Sequence, residues 1–254
     1  MRRMRIVTGA ALLLIAPALA ACQTTSGGGA DAITTGSTTP APTLKGAAAA
    51  ERDWRRDPKN LRKGLAYAAS LRALGQTGRE LAVLKALVGF RPRDVTLRAH
   101  YGRRLLAAGR AVQAEKAFRA VIALGRADWK AYNALGAALA AQGRYAAARA
   151  VYQQALKASP NNPKVLNNIA MSHILQGNPQ EGERILRAAM KLPGGGNDPR
   201  LRQNLALALG LQGRFREARY IASQDLSPAE VEANMAYLKR MLGGSDVWKK
   251  LQKG

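Results

Sequence analysis

Cationic and amide side chains recur together at a fixed interval in the second half of this sequence. The same two residue types return every 34 to 36 residues, as Lys130 with Asn133, Lys164 with Asn167, and Arg200 with Gln203. A carboxamide can donate to a peptide C=O group and accept from a peptide N–H group. A nearby cation can pair with an acidic side chain or a free C-terminus. These residue types suit recognition of an extended, acidic peptide, provided that the fold brings them onto one surface.

The residues typical of catalytic sites are scarce and scattered. The two histidines, His100 and His173, lie far apart, and there is no Cys and His cluster for zinc. The glycine run 194–196 lacks the preceding strand and the following Lys or Ser of a phosphate-binding loop. Most of the sparse acidic residues are expected at outward helix positions, such as Glu115, Glu181 and Glu217. We therefore expect no enzymatic activity, no metal and no cofactor.

The charge balance points to an acidic partner. The 254 residues include 40 Lys and Arg against 16 Asp and Glu, a net charge of +24. Three arginines lie in a leader segment expected to be removed, which leaves about +21 (24 − 3) on the mature chain. Anionic lipid, acidic protein and nucleic acid all suit such a charge. Three Phe, three Trp and no aromatic–basic cluster disfavour nucleic acid.

A pattern of small and large apolar residues returns with the same period. The unit 129–162 carries two amphipathic helical patterns that are separated at Gly143, with Gly136 and Ala148 as small residues that allow close approach. A helix pair of this kind cannot bury its apolar face without similar neighbours. Steps of 34 residues, and one of 36 across the loop 194–197, lead to equivalent units around Tyr67, Tyr101, Ile169 and Leu205.

This 34-residue signature resembles the tetratricopeptide repeat. The resemblance implies an all-α solenoid of about five helix-turn-helix repeats, preceded by part of a leading repeat at 47–56. The fourth copy departs from the pattern, because His173 replaces an apolar residue and is expected to be a tolerated core histidine. The predicted helix pairs are 60–74 with 77–90, 94–107 with 111–124, 128–141 with 145–158, 163–176 with 180–192, and 199–212 with 215–223.

The resemblance also assigns the recurring polar residues to one surface. In tetratricopeptide arrays the first helix of each pair lines the concave face, and such arrays bind other proteins. Ordinary solvated positions on a very basic chain are the alternative interpretation. The predicted peptide-binding groove comprises Arg103, Lys130, Asn133, Lys164, Asn167, Arg200 and Gln203.

A capping helix is predicted after the last repeat. Ser227 and Glu230 have the spacing of a capping box, with Pro228 at the first helical position. The helix 228–242 would cover the open end of the array and end at Gly243. The following basic tail, which contains Trp248 and Leu251, is expected either to dock as a frayed end or to touch a membrane surface.

The N-terminal residues resemble a secretory signal peptide that is followed by a site for a lipid anchor. Residues 1–21 combine a basic start with a short apolar run. The segment from Leu19 to Cys22 resembles the bacterial lipobox, which implies a covalent lipid on Cys22, the only cysteine. An ordinary leader with a chance Cys is the alternative.

Gln23, rather than Asp, after the Cys implies the outer membrane in that family of signals. Residues 22–45 lack an apolar pattern and are expected to form a disordered tether.

These features give four predicted segments: a signal peptide at 1–21, the acylated Cys and tether at 22–45, the array at 46–226, and the capping helix with its tail at 227–254. Within residues 201–242 the sequence resembles the TadD family of lipoproteins from the tight-adherence (Flp-type) pilus assembly system. The residues that carry this resemblance are NLALALGLQGRF at 204–215, EA at 217–218, DLSPAE at 225–230 and NMAYLK at 234–239.

The TadD resemblance implies a pilotin-like role for a lipoprotein that is anchored in the outer membrane and faces the periplasm. Its partners would be the pilus secretin or other Tad secretion components, bound through an extended peptide, with the membrane reached through the lipid. The alternative is a tetratricopeptide lipoprotein scaffold for outer-membrane barrel assembly or for cell-wall enzymes. An enzyme with an unrecognised site is a third possibility.

Overall fold

The computed structural model describes residues 43–244, which form twelve α-helices and, within that range, no strand. Ten of the helices form five antiparallel pairs, with one helix before them and one after. The helices are α1 (Leu44–Arg56), α2 (Leu61–Ala73), α3 (Thr77–Phe90), α4 (Val95–Ala107), α5 (Ala111–Ala123), α6 (Trp129–Ala140), α7 (Tyr145–Ala158), α8 (Pro163–Leu175), α9 (Pro179–Met190), α10 (Pro199–Leu211), α11 (Phe215–Ala222) and α12 (Pro228–Gly244).

The five predicted helix pairs are confirmed, and the differences lie at the two ends of the array. Helix α1 begins at Leu44, three residues before the predicted start, because the Thr43 side chain accepts a hydrogen bond from the Gly46 N–H and caps the helix there. The predicted stop at Gly243 is wrong, since α12 continues through Gly244. The signal peptide, Cys22, the tether up to residue 42 and the basic tail with Trp248 and Leu251 lie outside the described residues.

A repeated capping residue starts the first helix of every pair. In α6 the Asp128 carboxylate accepts a hydrogen bond of 2.8 Å from the Ala131 N–H. Such caps satisfy backbone donors that have no partner inside the helix. The period of the sequence is therefore also a period of helix starts, and the equivalent caps are Asn60, Asp94, Asn162 and Asp198.

Two of the five pairs close because a glycine and an aromatic ring occupy complementary positions. An added Cβ at Gly136 would lie 2.3 Å from Cε1 of Tyr152, so only glycine leaves room for this ring. Tyr152 is 1% exposed and joins the main core. In the preceding pair Gly102 faces Phe118 in the same way. The close approach predicted from small residues at the helix crossing is thus present.

The first helices of successive pairs lie on the inner side of the array. Helix α6 contacts both α4 and α8, and α8 also contacts α10. Among the described helices, the second members of successive pairs make no comparably extensive contact. Because the first helices approach one another more closely, the array curves toward them. The solvent-exposed residues of the first helices therefore line the concave surface.

Three buried carboxylates tie neighbouring repeats together. Glu80 in α3 accepts hydrogen bonds from Arg104 in α4 at 2.6 and 3.0 Å. Glu115 in α5 accepts hydrogen bonds from Gln142 and Arg144 in the next repeat. Glu183 in α9 makes the same contacts with Gln212 and Arg214. The expectation that Glu115 points outward is wrong, because the next repeat covers it and supplies its donors.

The last helix closes the end of the array. In α12 the apolar residues Val231, Met235 and Leu238 are buried. Leu238 packs where α10 has Gly210, whose added Cβ would lie 2.5 Å from Leu238 Cδ1. The capping box is formed, since Ser227 N and Oγ donate to Glu230 Oε2 at 2.9 and 2.7 Å. The predicted capping role of this helix is confirmed.

Candidate peptide-binding groove

Six of the seven predicted groove residues line a single pocket. This pocket lies on the concave surface between α4, α6, α8 and α10 and has a volume of about 400 Å³. The seventh residue, Gln203, is exposed on α10 and does not line the pocket. The predicted residues that the structure brings together are Arg103, Lys130, Asn133, Lys164, Asn167 and Arg200.

The cations of the pocket differ in how far they are neutralised. Neither Arg103, Lys130 nor Lys164 forms a salt bridge within the described part of the chain. Arg200, in contrast, is tied to Asp198, with a distance of 2.9 Å between Nη2 and Oδ2. The hydrogen bond from Arg200 holds the pKa of Asp198 below its ordinary value, and the nearby Lys164 lowers it further. Three cations are thus available to an incoming anion.

The amides of the pocket are oriented by hydrogen bonds between repeats. Nδ2 of Asn168 donates to Oδ1 of Asn133 at 2.9 Å, and Nδ2 of Asn204 donates to Oδ1 of Asn167 at 2.7 Å. Each bond joins a first helix to the first helix of the next repeat. Asn168 and Asn204 were not predicted. Their signal in the sequence is that each directly follows a predicted amide position and that they are 36 residues apart.

Trp129 closes one side of the pocket and accompanies Lys130. The Lys130 Nζ lies 5.8 Å from the centre of the Trp129 ring, a distance at which an ammonium group is attracted to an aromatic face. Trp129 is half-buried, so the ring is held while the ammonium group stays exposed. The lysine head group is therefore kept at the wall of the pocket and is available to a ligand.

A second, more apolar pocket of about 340 Å³ adjoins the first at Arg103. Leu61 and Leu65 of α2 face Leu97 and His100 of α4 across it. Burial lowers the pKa of His100, and the neighbouring Arg103 lowers it further, so the imidazole is neutral at pH 7. The concave surface thus changes from apolar at α2 to cationic and amide-rich at α6 and α8.

The described residues contain no candidate metal site. Across 43–244 no group of three or more His, Cys, Asp or Glu side chains could hold a metal ion. His173 is half-buried. Burial lowers its pKa, and the positive charge of the nearby Arg149 lowers it further. In the same range, no helix is long and apolar enough to cross a membrane.

Comparison with family models identifies the repeat. Residues 102–163 and residues 139–193 each match a tetratricopeptide repeat model. The helical array is a tetratricopeptide-repeat solenoid. Proteins built from this repeat are typically non-catalytic scaffolds for protein–protein interaction, and the present solenoid has the concave groove that such a role requires. No curated protein matches the chain with statistical significance.

Solved structures share the fold of this solenoid at low sequence identity. A tetratricopeptide repeat protein from Parabacteroides merdae is 15% identical, with a TM-score of 0.61, over 82% of this chain and 90% of its own. The tetratricopeptide protein TTC0263 from Thermus thermophilus is 20% identical, with a TM-score of 0.57, over 70% of this chain and 97% of its own. MamA from Desulfovibrio magneticus is 18% identical, with a TM-score of 0.51, over 60% and 86%. These similarities concern the fold alone.

Proposed function

We propose that this protein is a non-enzymatic scaffold that binds an extended, acidic segment of another protein in its concave groove. The observation that carries the proposal is the pocket between α4, α6, α8 and α10, where Arg103, Lys130 and Lys164 stand without salt bridges beside oriented amides. Charge-assisted hydrogen bonds to carboxylates are the strongest contacts that these groups can make.

The finer assignment is to assembly of the Flp-type pilus. The TadD-like segment 201–242 forms α10, α11 and the capped helix α12, and the lipobox at Cys22 supports anchoring in the outer membrane. A lipid-anchored solenoid could hold an extended tail of the secretin at the membrane where the secretin inserts. Tethering would raise the local concentration of this complex, as a pilotin-like role requires.

In-cell cross-linking of the full chain, followed by mass spectrometry, tests the assignment. We expect the secretin or other pilus-assembly proteins to dominate the captured partners, with cross-links to the residues of the groove. Capture of barrel-assembly proteins or cell-wall enzymes would instead support the alternative scaffold and overturn the pilus assignment. Cross-links confined to the outer helices α5, α7 and α9 would contradict use of the groove.

Charge reversal tests the groove directly. Lys130→Glu combined with Lys164→Glu should abolish capture of the partner, because it places two carboxylates where the ligand is expected to place its own. The matched control is Lys116→Glu with Lys157→Glu, which makes the same change in net charge at exposed positions on α5 and α7. Equal loss of capture in both variants would show that only overall charge matters.

The membrane anchor is tested separately. Cys22→Ser removes the acylated thiol and should move the protein from the membrane fraction to the soluble periplasmic fraction, while peptide binding by the purified protein stays unchanged. Two acyl chains give stable anchoring, whereas a single signal gives only reversible attachment. A serine variant that still fractionates with the outer membrane would refute the lipid anchor.

A further inference from the structure

Two equivalent positions in the groove combine a lysine with an oriented amide. Lys130 and Asn133 lie on α6, and Lys164 and Asn167 lie on α8, with the same spacing of three residues. Residues three apart share one face of a helix. All four side chains line the same pocket. The groove therefore holds two copies of the same arrangement, one repeat apart.

The hydrogen bonds between repeats decide which end of each amide can serve a ligand. Asn133 and Asn167 both use Oδ1 to accept from the following repeat, at 2.9 and 2.7 Å. Their Nδ2 groups make no hydrogen bond within the described residues and remain as donors. A donor beside an ammonium group suits an oxygen that carries negative charge, since both can contact the same carboxylate.

The third copy of the pattern lacks these features. Arg200 is engaged by Asp198, and Gln203 does not line the pocket. No following repeat supplies an amide to orient Gln203, because α11 and α12 follow α10 and α12 closes the end of the array. Only the positions on α6 and α8 are complete.

The distance between the two complete positions limits the ligand. Helices α6 and α8 are in contact, and the Asn168–Asn133 hydrogen bond crosses between them. Packed helices lie about 8–10 Å apart, axis to axis. A peptide in the extended polyproline II conformation advances about 3.1 Å per residue and has three residues per turn, so side chains three positions apart lie on one face and about 9 Å from each other.

We propose that the Lys130–Asn133 and Lys164–Asn167 pairs are two carboxylate subsites that select an extended peptide with acidic residues three positions apart. Asn168 and Asn204 are the positioning residues, because each holds the amide of a subsite with its donor toward the ligand. This inference rests on the proposed acidic-peptide function and specifies the ligand that the groove recognises.

Synthetic peptides test the spacing. Each probe carries two Glu residues in a Gly-Ser background, is acetylated and amidated at its ends, and differs only in whether the Glu residues lie two, three, four or five positions apart. Fluorescence anisotropy with the full chain should show tightest binding at a separation of three, with about tenfold weaker binding for each Glu that is replaced by Gln, the loss expected for one charged hydrogen bond. Equal binding at every separation would overturn the two-subsite arrangement.

Substitution of the positioning residues tests the orientation of the amides. Asn168→Ala and Asn204→Ala each release the amide of the preceding repeat, which can then rotate and offer its oxygen to a Gln side chain. Both variants should lose several-fold of the preference for Glu over Gln. Gln203→Ala is the matched control, because it removes an amide on the same helix as Asn204 outside the pocket, and it should keep the preference.

The outcomes separate the two levels of the proposal. If the wild-type chain binds the Glu peptides and Lys130→Glu with Lys164→Glu abolishes binding, but the Asn variants keep the full preference, the positioning role is refuted and the acidic-peptide function stands. If the wild-type chain binds none of the Glu peptides, both are refuted. Thermal unfolding of each variant identifies any that fails to fold, and Asn168→Ser then replaces Asn168→Ala with a shorter side chain of similar polarity.

Discussion

Gly136 and Tyr152 show how the absence of one side chain sets the distance between two helices. The ring of Tyr152 occupies the space that a Cβ at residue 136 would need. Burial also raises the pKa of the Tyr152 hydroxyl, so the ring stays neutral over the physiological pH range. The repeat can therefore tolerate neither a larger residue at 136 nor a charge at 152 without opening the pair.

Gly136→Ala should destabilise the protein by about 1–3 kcal/mol, as expected for overpacking of a tight core. The matched control is Gly89→Ala, at an exposed position in α3 where an added Cβ meets no atom within 4 Å. There the higher helix propensity of Ala should stabilise by about 0.5–1 kcal/mol. Urea denaturation measures both, and the same sign of change at both positions would contradict the packing argument.

Glu115 couples stability to pH. The hydrogen bond from Gln142 lowers its pKa below the ordinary value of 4.5, against the opposing effect of burial, and the hydrogen bond from Arg144 lowers it further. A carboxylate whose pKa is lower in the folded state stabilises the fold fully above its unfolded pKa. That stabilisation is lost as the pH falls through the folded pKa.

Glu115→Gln should therefore lower the free energy of unfolding by about 1.5–3 kcal/mol at pH 7, the contribution typical of hydrogen bonds to a charged group. Below the ordinary pKa value of 4.5 the difference from the wild type should shrink, because the unfolded chain then binds a proton that the folded carboxylate resists. Urea denaturation at a series of pH values makes the comparison. A difference that stayed constant from pH 7 to pH 3 would mean that the charge of Glu115 contributes nothing.

At the scale of the element, α12 depends on local signals at its start. Ser227→Ala removes the hydroxyl of the capping box and should destabilise the first turn of α12 by about 1 kcal/mol. Hydrogen exchange of the amides at 229–232 should accelerate, while exchange in α6 stays unchanged. Ser223→Ala, which alters the C-terminal cap of α11 instead, serves as the control. Unchanged exchange at the start of α12 would show that packing alone fixes it.

The helix pairs could be predicted from the sequence because their signals are local. Apolar spacing, a glycine at each turn and a strict period all lie within one repeat. The turn at Gly143 illustrates this, since its φ of 74° favours glycine and the same geometry recurs at four equivalent turns. The start of α1 was missed because a Thr cap is a weak signal, and the extension of α12 was missed because glycine only weakly opposes a helix.

Side-chain environments that depend on the next repeat could not be predicted in the same way. Glu115 has its donors 27 and 29 residues away, and no pattern within its own helix distinguishes it from an exposed Glu. The groove residues were found because their positions are periodic. Their amide orientations were not found, because these depend on Asn168 and Asn204 in the following repeats. Periodicity thus identified the surface, and contacts between repeats determine its chemistry.

For the whole molecule, the dominant property is excess positive charge. Most acidic side chains of the described residues are engaged by arginines, as Glu181 is by Arg184 and Asp225 is by Arg202. The surplus cations therefore face solvent and the groove. Such a surface raises the rate at which acidic partners are encountered, and ions screen this effect over about 10 Å at 0.1 M salt.

Binding of an acidic peptide should therefore weaken steeply as salt rises. The loss should appear mainly in the association rate, because screening reduces steering before it reduces the short contacts in the groove. Stopped-flow anisotropy from low to high salt measures both rates. Association that is insensitive to salt would show that the excess charge does not guide the ligand.

The buried carboxylates also contribute to the stiffness of the joints between repeats. Glu80, Glu115 and Glu183 brace three joints between repeats, but at the joint between α7 and α8 the corresponding residue is Arg149, whose contact among the described residues is a long one of 3.5 Å to Ser172. This joint should therefore be more compliant than the two that Glu115 and Glu183 stabilise, with faster hydrogen exchange across α7 and α8. A peptide that lies from Lys130 to Lys164 would span the joint between α7 and α8, so the occupied solenoid should bend less under force than the empty one.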